Sequence, residues 1–290
     1  EQDDISLDEI AKLEKKAQEL LTKIYSDLDT WEKTQVARHP NRPHFSDYIE
    51  GMLNNFVPLA GDRLFGEDKA IIGGLGKMDN TSVMLIGHEK GSDTDSRLKH
   101  NFGMAHPEGY RKSIRLMHLA EKFNIPVITF VDTPGAYPGI GAEERGQSAA
   151  IARSTDCTLS LKVPVISVII GEGGSGGAMA LAAANNVLML EHSIYTVASP
   201  EASASILWRS SEKAKEAANA MKITAQDLLR LGIIDQIIDE PVGGAHREPT
   251  QMISQIKSAI IRSINKLRNF NEKELIEKRR EKFIKIGQNL

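Results

Sequence analysis

The stretch from Val163 to Asn185 constrains this chain most. It opens with VPVISVII, a continuous β-branched run of strand length, with Pro164 at its start, where a missing N–H costs least. It closes with AMALAAAN, small and apolar, the composition of a buried helix. Between them stand Gly171, Gly173, Gly174, Gly176 and Gly177, which predict an exposed, sharply turning loop. A loop of this kind ends at a helix N-terminus, where N–H groups lack partners and the dipole favours negative charge. The chemistry on offer is binding of an anion or oxyanion by main-chain donors. A second copy lies upstream: IPVITFV at Ile125–Val131 parallels VPVISVI at Val163–Ile169. The glycine-rich DTPGAYPGIGAEERGQ and the helix-like SAAIAR follow it. Two matched strand–glycine–helix units predict a repeated layout whose glycine segments leave one edge of one sheet and face a common site.

The 290 residues suffice for a full core, and 41% hydrophobic with 26% charged residues is a globular composition. A net charge of −3 argues against nucleic acid as a partner. Cys157 is the only cysteine, so neither an internal disulfide nor a cysteine-rich zinc site fits this chain, and its apolar neighbours predict an inert thiol. No signal peptide and no apolar run near the roughly 18 residues of a membrane span is visible, so a cytoplasmic address without membrane partners is expected. The chain begins at Glu1 rather than Met, which leaves a missing N-terminal piece open.

Ser6 to Glu9 fits a capping box, and Ile10, Leu13, Ala17, Leu20, Ile24, Leu28 and Trp31 fall on one helical stripe. One long amphipathic helix is therefore expected, packed on the core or on a partner, until RHPNRP (38–43) breaks it. Arg38, His39 and Arg42 read either as a phosphate cradle or as loop anchors. AIIGGLGKMDNTSVMLIG (70–87) reads as a hairpin. The polar stretch from His88 to Lys112 reads either as a solvated loop or as a basic seat for an acidic or phosphate-bearing ligand. A helix is expected from Arg111 to Asn124, short strands at 187–190 and 193–198, and a helix opening at Ser199-Pro-Glu201. Helices at 213–221 and 224–231, a short strand or turn at 233–238 and a long helix from Thr250 complete the order. The charged NEKELIEKRREKF at the end predicts a surface-lying helix.

The central glycines satisfy three patterns. Gly171-x-Gly173-x-x-Gly176 is formally a dinucleotide fingerprint, but here a similar glycine segment precedes it, whereas the fingerprint opens its domain. Gly173-x-Ser175-x-Gly177 is formally a nucleophile elbow, and Asp235 or Asp239 with His246 would complete the order of a hydrolase triad. Against that, spacing of this sort arises by chance in a run of glycines. No phosphate-binding P-loop and no His pair at metal spacing occurs, so no metal site is expected. Glu143 and Glu144 read as carboxylates drawn to a helix N-terminus rather than as an acid–base pair. The third pattern is the oxyanion one: the peptide N–H groups of Gly176 and Gly177 point into a cleft, where preorganised donors supply about 3–4 kcal/mol to a transition state.

The blocks NFGMAHPEGYRK (101–112), DTPGAYPGIGAEERGQ (132–147), GEGGSGGA (171–178), SPEASASILW (199–208) and GGAHREP (243–249) together resemble the α subunit of bacterial-type acetyl-CoA carboxylase carboxyltransferase. The likeness is colinear from about Lys12 to the C-terminus. It implies an α/β fold of the ClpP/crotonase-like type, a spiral of ββα units. Residues 44–249 would form the core, residues 1–43 an N-terminal helix and Pro-containing break, and residues 250–290 a C-terminal helical extension. It implies transfer of a carboxyl group from carboxybiotin, attached to the biotin carboxyl carrier protein, to acetyl-CoA, giving malonyl-CoA for fatty acid synthesis. The chain would be active only with a β subunit, as an α2β2 heterotetramer with biotin carboxylase in the wider complex. Zinc would lie only on β. By the same resemblance Gly176 and Gly177 would donate to the ureido oxygen of biotin, and Gly135, Ala136, Gly174 and Ser175 would shape its pocket. The segment STDCTLSLKVP (154–164) departs from the more usual Arg-bearing version.

Overall fold

The computed structural model describes residues 7–288. Eight strands form one sheet: β1 (Asn54–Pro58), β2 (Ile71–Met78), β3 (Thr81–His88), β4 (Val127–Thr133), β5 (Val165–Gly174), β6 (Asn186–Leu190), β7 (Ile194–Thr196) and β8 (Gln236–Ile238). Their order is β1-β2-β3-β4-β5-β6-β8, with β7 attached to β5. The first three are antiparallel, and β3 to β6 and β8 run parallel. The expected hairpin is present, with β2 and β3 joined through Asp79 and Asn80.

The two β-branched repeats pair with each other as the centre of the sheet, Val127 to Val131 against Val165 to Ile169. Both are buried along their whole length, because helices cover both faces. Val127, Val131, Val165 and Ile169 face helices Pro107–Lys122, Gln147–Ser160 and Ser175–Ala182. Ile128, Phe130, Ile166 and Val168 face helices Phe45–Met52 and Pro249–Leu267. Each such side chain contributes about 1.5–3 kcal/mol by leaving water. β5 also changes neighbour along its length. Ile166 to Ile169 pair with β6, and Glu172 to Gly174 pair with β7.

Three expectations need correction. The run Gly171 to Gly174 is not a loop: it is the buried end of β5, and a helix follows it directly at Ser175. The N-terminal stripe is not one helix. Leu7–Tyr25 ends before Leu28, and Asp29 caps a separate helix, Thr30–Ala37, with a capping box to Glu32. Ile10, Leu13, Leu20 and Ile24 stay exposed and do not pack on the core. Ser6, the first residue of the expected capping box, lies outside the described residues. The polar stretch after His88 is not one loop. It holds helix Thr94–Lys99 and a 3-10 turn at Asn101–Gly103, and helix Pro107–Lys122 begins earlier than expected because Pro107 takes its first turn.

The charged C-terminal helix, Glu272–Lys285, does lie largely at the surface, yet Arg279 is fully buried. Its guanidinium donates to the carbonyls of Thr158 at 2.6 Å, Leu161 at 2.9 Å and Val163 at 3.0 Å, and to Asn185 Oδ1 at 2.6 Å. Asn185 Oδ1 also accepts from Val165 N at 3.1 Å, and Asn185 Nδ2 donates to Leu275 O at 2.9 Å. Arg279 thus fastens the last helix beneath the start of β5. Arg279→Met leaves those carbonyls without donors and is expected to cost on the order of 3 kcal/mol. Urea unfolding checks this, and an unchanged midpoint rules it out.

His88, at the end of β3, is fully buried, and burial pulls its pKa from 6.5 to about 4. The folded chain therefore keeps it neutral at pH values where the unfolded chain binds a proton. The stability this represents is intact above pH 6.5 and is lost as pH falls toward 4, by at most about 3 kcal/mol. Unfolding free energies of wild type and His88→Leu, compared between pH 4 and 6.5, should show a shallower slope in the variant; equal slopes count against it.

Candidate active site

The two glycine segments meet because the strands that carry them are neighbours. At the end of β4, Thr133 Oγ1 donates to Gly135 O at 2.7 Å and accepts from Gly135 N at 3.1 Å, folding Pro134–Ala136 into a tight turn. That turn lies directly on the end of β5. A Cβ on Gly174 would stand 2.2 Å from Pro134 O, and one on Gly177 would stand 2.9 Å from Ala136 N. Glycine is required at these two positions by backbone packing on backbone. Tyr137 N donates to Ala105 O at 3.0 Å, and Gln147 Nε2 bridges Ala105 O and Tyr137 O at 2.8 and 2.9 Å. The NFGMAHPEGYRK block thereby holds the far side of the same turn.

Gly176 and Gly177 occupy the first turn of helix Ser175–Ala182, whose N-cap, Gly174, supplies no side-chain acceptor. An α-helix leaves the N–H groups of its first turn without partners of its own and carries its positive dipole end there. Ser175 and Gly176 line an apolar groove of about 840 Å³ with Met179, Tyr195 and Val197. Gly135, Gly174 and Gly177 are buried behind that surface, and Ala136 is half-buried. All six residues singled out from the sequence therefore belong to one small region.

Ser175 sits at a strand-to-helix corner with φ of 54° and is exposed, which is the local shape of a nucleophile elbow. The partners are elsewhere. His246 stacks on His39 with ring centroids 3.7 Å apart, and Asp235 pairs with Lys282 and accepts from Val187 N at 2.6 Å. No carboxylate or imidazole lines the groove among the described residues. Its titratable groups are Lys222 and Tyr195, whose phenol is pushed up to about 12 by burial. A serine without a base is a poor nucleophile. Glu143 and Glu144 are both exposed on helix Ile140–Glu144, away from the groove lining.

An ionic cluster behind the glycines escaped the sequence reading. Asp132 opens the first glycine segment, and Glu172 stands inside the second. Asp132 Oδ1 accepts from Glu172 N at 2.9 Å and from Lys90 Nζ at 2.6 Å. Arg38 bridges Glu172 at 2.6 Å and Glu201 at 2.7 Å. Arg42 pairs with Glu240 at 2.8 Å and donates to Ile170 O at 2.9 Å. The RHPNRP arginines are thus anchors, as one of their two sequence readings held. Glu172 is almost fully buried, and Arg38 and Lys90 hold it in place at 2.6 and 4.0 Å. These pairs join residues far apart in sequence, and no local motif signals them.

The chain matches the family model described as acetyl co-enzyme A carboxylase carboxyltransferase-like over residues 1–287. The acetyl-coenzyme A carboxylase carboxyl transferase subunit alpha of Nitrobacter winogradskyi is 62% identical over 287 residues, covering 99% of this chain and 89% of the relative. That of Zymomonas mobilis is 62% identical over 286 residues, covering 98% and 91%. Among solved structures, a chain of a Pseudomonas malonate decarboxylase hetero-tetramer in complex with coenzyme A superposes with a TM-score of 0.64 at 15% identity, covering 80% of this chain and 90% of that one. The transcarboxylase 12S core superposes with a TM-score of 0.59 at 20% identity over 75% of this chain, which spans 42% of that one. At these identities the structural neighbours establish a shared crotonase-like α/β fold. With a family match along nearly its whole length, the chain belongs to the acetyl-CoA carboxylase carboxyltransferase α-subunit family.

Proposed function

We propose that this chain is the biotin-side half of a carboxyltransferase that moves a carboxyl group from carboxybiotin, borne by the biotin carboxyl carrier protein, to acetyl-CoA, giving malonyl-CoA. The observation that carries the reading is the helix first turn at Gly176 and Gly177. Gly176 lines an apolar groove there, and no carboxylate or imidazole lines it among the described residues. Donors of this kind stabilise negative charge on an oxygen without a reactive side chain. A flat, uncharged ring fits between small residues and the apolar wall, with Gly135, Ala136, Gly174 and Ser175 shaping the pocket around it. Carrier-bound biotin supplies the carboxyl group and, once that group is released, a ring nitrogen able to take a proton. The role of this chain is then to hold the ureido oxygen on the N–H groups of Gly176 and Gly177 and to keep water out with Met179, Val197 and Tyr195.

In this reading acetyl-CoA sits on a β subunit that closes the groove, the assembly is α2β2, and biotin carboxylase joins it in the wider complex. Zinc belongs to β. Among the described residues no group of His, Cys, Asp or Glu is placed to hold a metal, and no helix is long and apolar enough to cross a membrane. A cytoplasmic location is part of the proposal. Residues 44–249 act as the catalytic core, residues 1–43 as an N-terminal extension and residues 250–290 as a C-terminal one.

Mixing this chain with its cognate β subunit and carboxylated carrier should yield malonyl-CoA. An assembled mixture that yields none sinks the proposal. Within that assembly, Gly177→Ala presses a methyl group on Ala136 N, whereas Gly176→Ala meets only the Ile151 side chain at 3.3 Å. The first change should lower turnover about a hundredfold with assembly retained, and the second much less. Equal turnover in the two variants would remove the donor role of the first turn.

A further inference from the structure

We propose that Tyr110 is a positioning residue for the donor site, an inference that rests on reading Gly176 and Gly177 as oxyanion donors. Tyr110 lies in the first turn of helix Pro107–Lys122, within the block HPEGYRK, and is fully buried in the core beneath helix Ser175–Ala182. Its ring is ordinary core. Its hydroxyl is not, because Tyr110 Oη has no hydrogen-bond partner among the described residues. Burying an unpartnered hydroxyl costs about 1–3 kcal/mol, and phenylalanine would fill the same space without that cost.

The position of the oxygen suggests its use. It stands 3.0 Å from the place a Cβ on Gly177 would take, and Ala136 N and the Gly135 carbonyl carbon each stand 2.9 Å from that same place. The hydroxyl therefore sits where the first glycine turn touches the first turn of the second helix. Ala136 N–H also lacks a partner among the described residues. Two unsatisfied groups, a phenol oxygen and a peptide N–H, thus flank Gly177. Burial, with the Asp68 carboxylate adding to it, pushes the phenol pKa far above its ordinary 10, so the oxygen stays neutral and protonated at any working pH. It is free to accept a hydrogen bond, and Ala136 N–H borders the same point beside Gly177.

When the carboxyl donor is held at the helix first turn, Tyr110 Oη accepts from Ala136 N–H and fixes the spacing between the Pro134–Ala136 turn and Gly177. Tyr110 does not touch the reacting atoms; it acts through the peptides that do. Such a role accounts for a hydroxyl where a phenyl ring packs more cheaply.

The test is Tyr110→Phe in the complex of this chain with its cognate β subunit and carboxylated carrier. The expected result is an unchanged or higher melting temperature and intact assembly. Turnover should be ten- to a hundredfold lower at unchanged KM for the carrier, the size of effect that small misplacement of a reacting pair produces. Amide hydrogen exchange at residues 135–137 and 176–178, measured with biotin present, should be faster in the variant. Wild-type turnover with unchanged exchange overturns the inference. So does a slower enzyme whose melting temperature has dropped while exchange at those amides is unchanged, since that is loss of core packing alone. Failure of the wild-type complex to transfer carboxyl groups is a different result, and it strikes the functional reading itself.

Discussion

The close approach of two backbones, Pro134–Ala136 over Gly174–Gly177, is the constraint on which the site depends. A Cβ at Gly174 would stand 2.2 Å from Pro134 O, well inside any tolerable contact. No alternative rotamer relieves such a clash, because both partners are main chain. The parallel pairing of β4 with β5 brings the segments together, and the absence of side chains lets them touch. The helix first turn then opens on a groove at a fixed height above the sheet. Main-chain donors work only when their direction is set in advance.

Backbone contact of this kind needs restraint from behind, which the buried ion pairs provide. Asp132 and Glu172 belong to the two glycine segments and are tied by a backbone hydrogen bond, by Lys90 and by Arg38. Buried ion pairs add little net stability, since desolvation offsets their attraction, but removing one partner strands a charge. The cluster is better understood as a clamp that admits one arrangement of the segments. Arg279 does similar work at the other end of β5, where it gathers the carbonyls of Thr158, Leu161 and Val163. One strand is therefore fixed at both ends by charges that act at long sequence range.

Those two clamps also mark what could be read from the sequence. The central strands, their repeat and the shared face were legible, because a fully covered parallel strand must be apolar along its whole length. The glycine run was legible as a place where backbone meets backbone but not as a strand, since glycine carries no period by which to tell strand from loop. Asp29 and Glu32 at capping-box spacing were a readable sign that the N-terminal stripe is two helices, and the continuing apolar stripe masked it. Pro107 likewise announced an earlier helix start. Arg279 gave no sign at all: it stands among charged neighbours, and its burial follows from carbonyls more than a hundred residues away in sequence. The Arg38–Glu172–Glu201 bridge was hidden for the same reason.

The arrangement also explains why a serine at an elbow-like corner need not be a nucleophile. Ser175 has the strained φ and the exposure of one, but strain at a strand-to-helix corner has a simpler source here. β5 continues as strand through Gly174 and the helix begins at the next residue, so a single residue must absorb the whole change of direction. A left-handed conformation at one position does that. The cost is about 1–2 kcal/mol at a non-glycine residue. A base near Ser175 would convert this geometry into hydrolytic chemistry, and the groove offers only Lys222 and a phenol pushed up to about 12. With neither a carboxylate nor an imidazole lining the groove among the described residues, the corner at Ser175 is accounted for by the turn it makes.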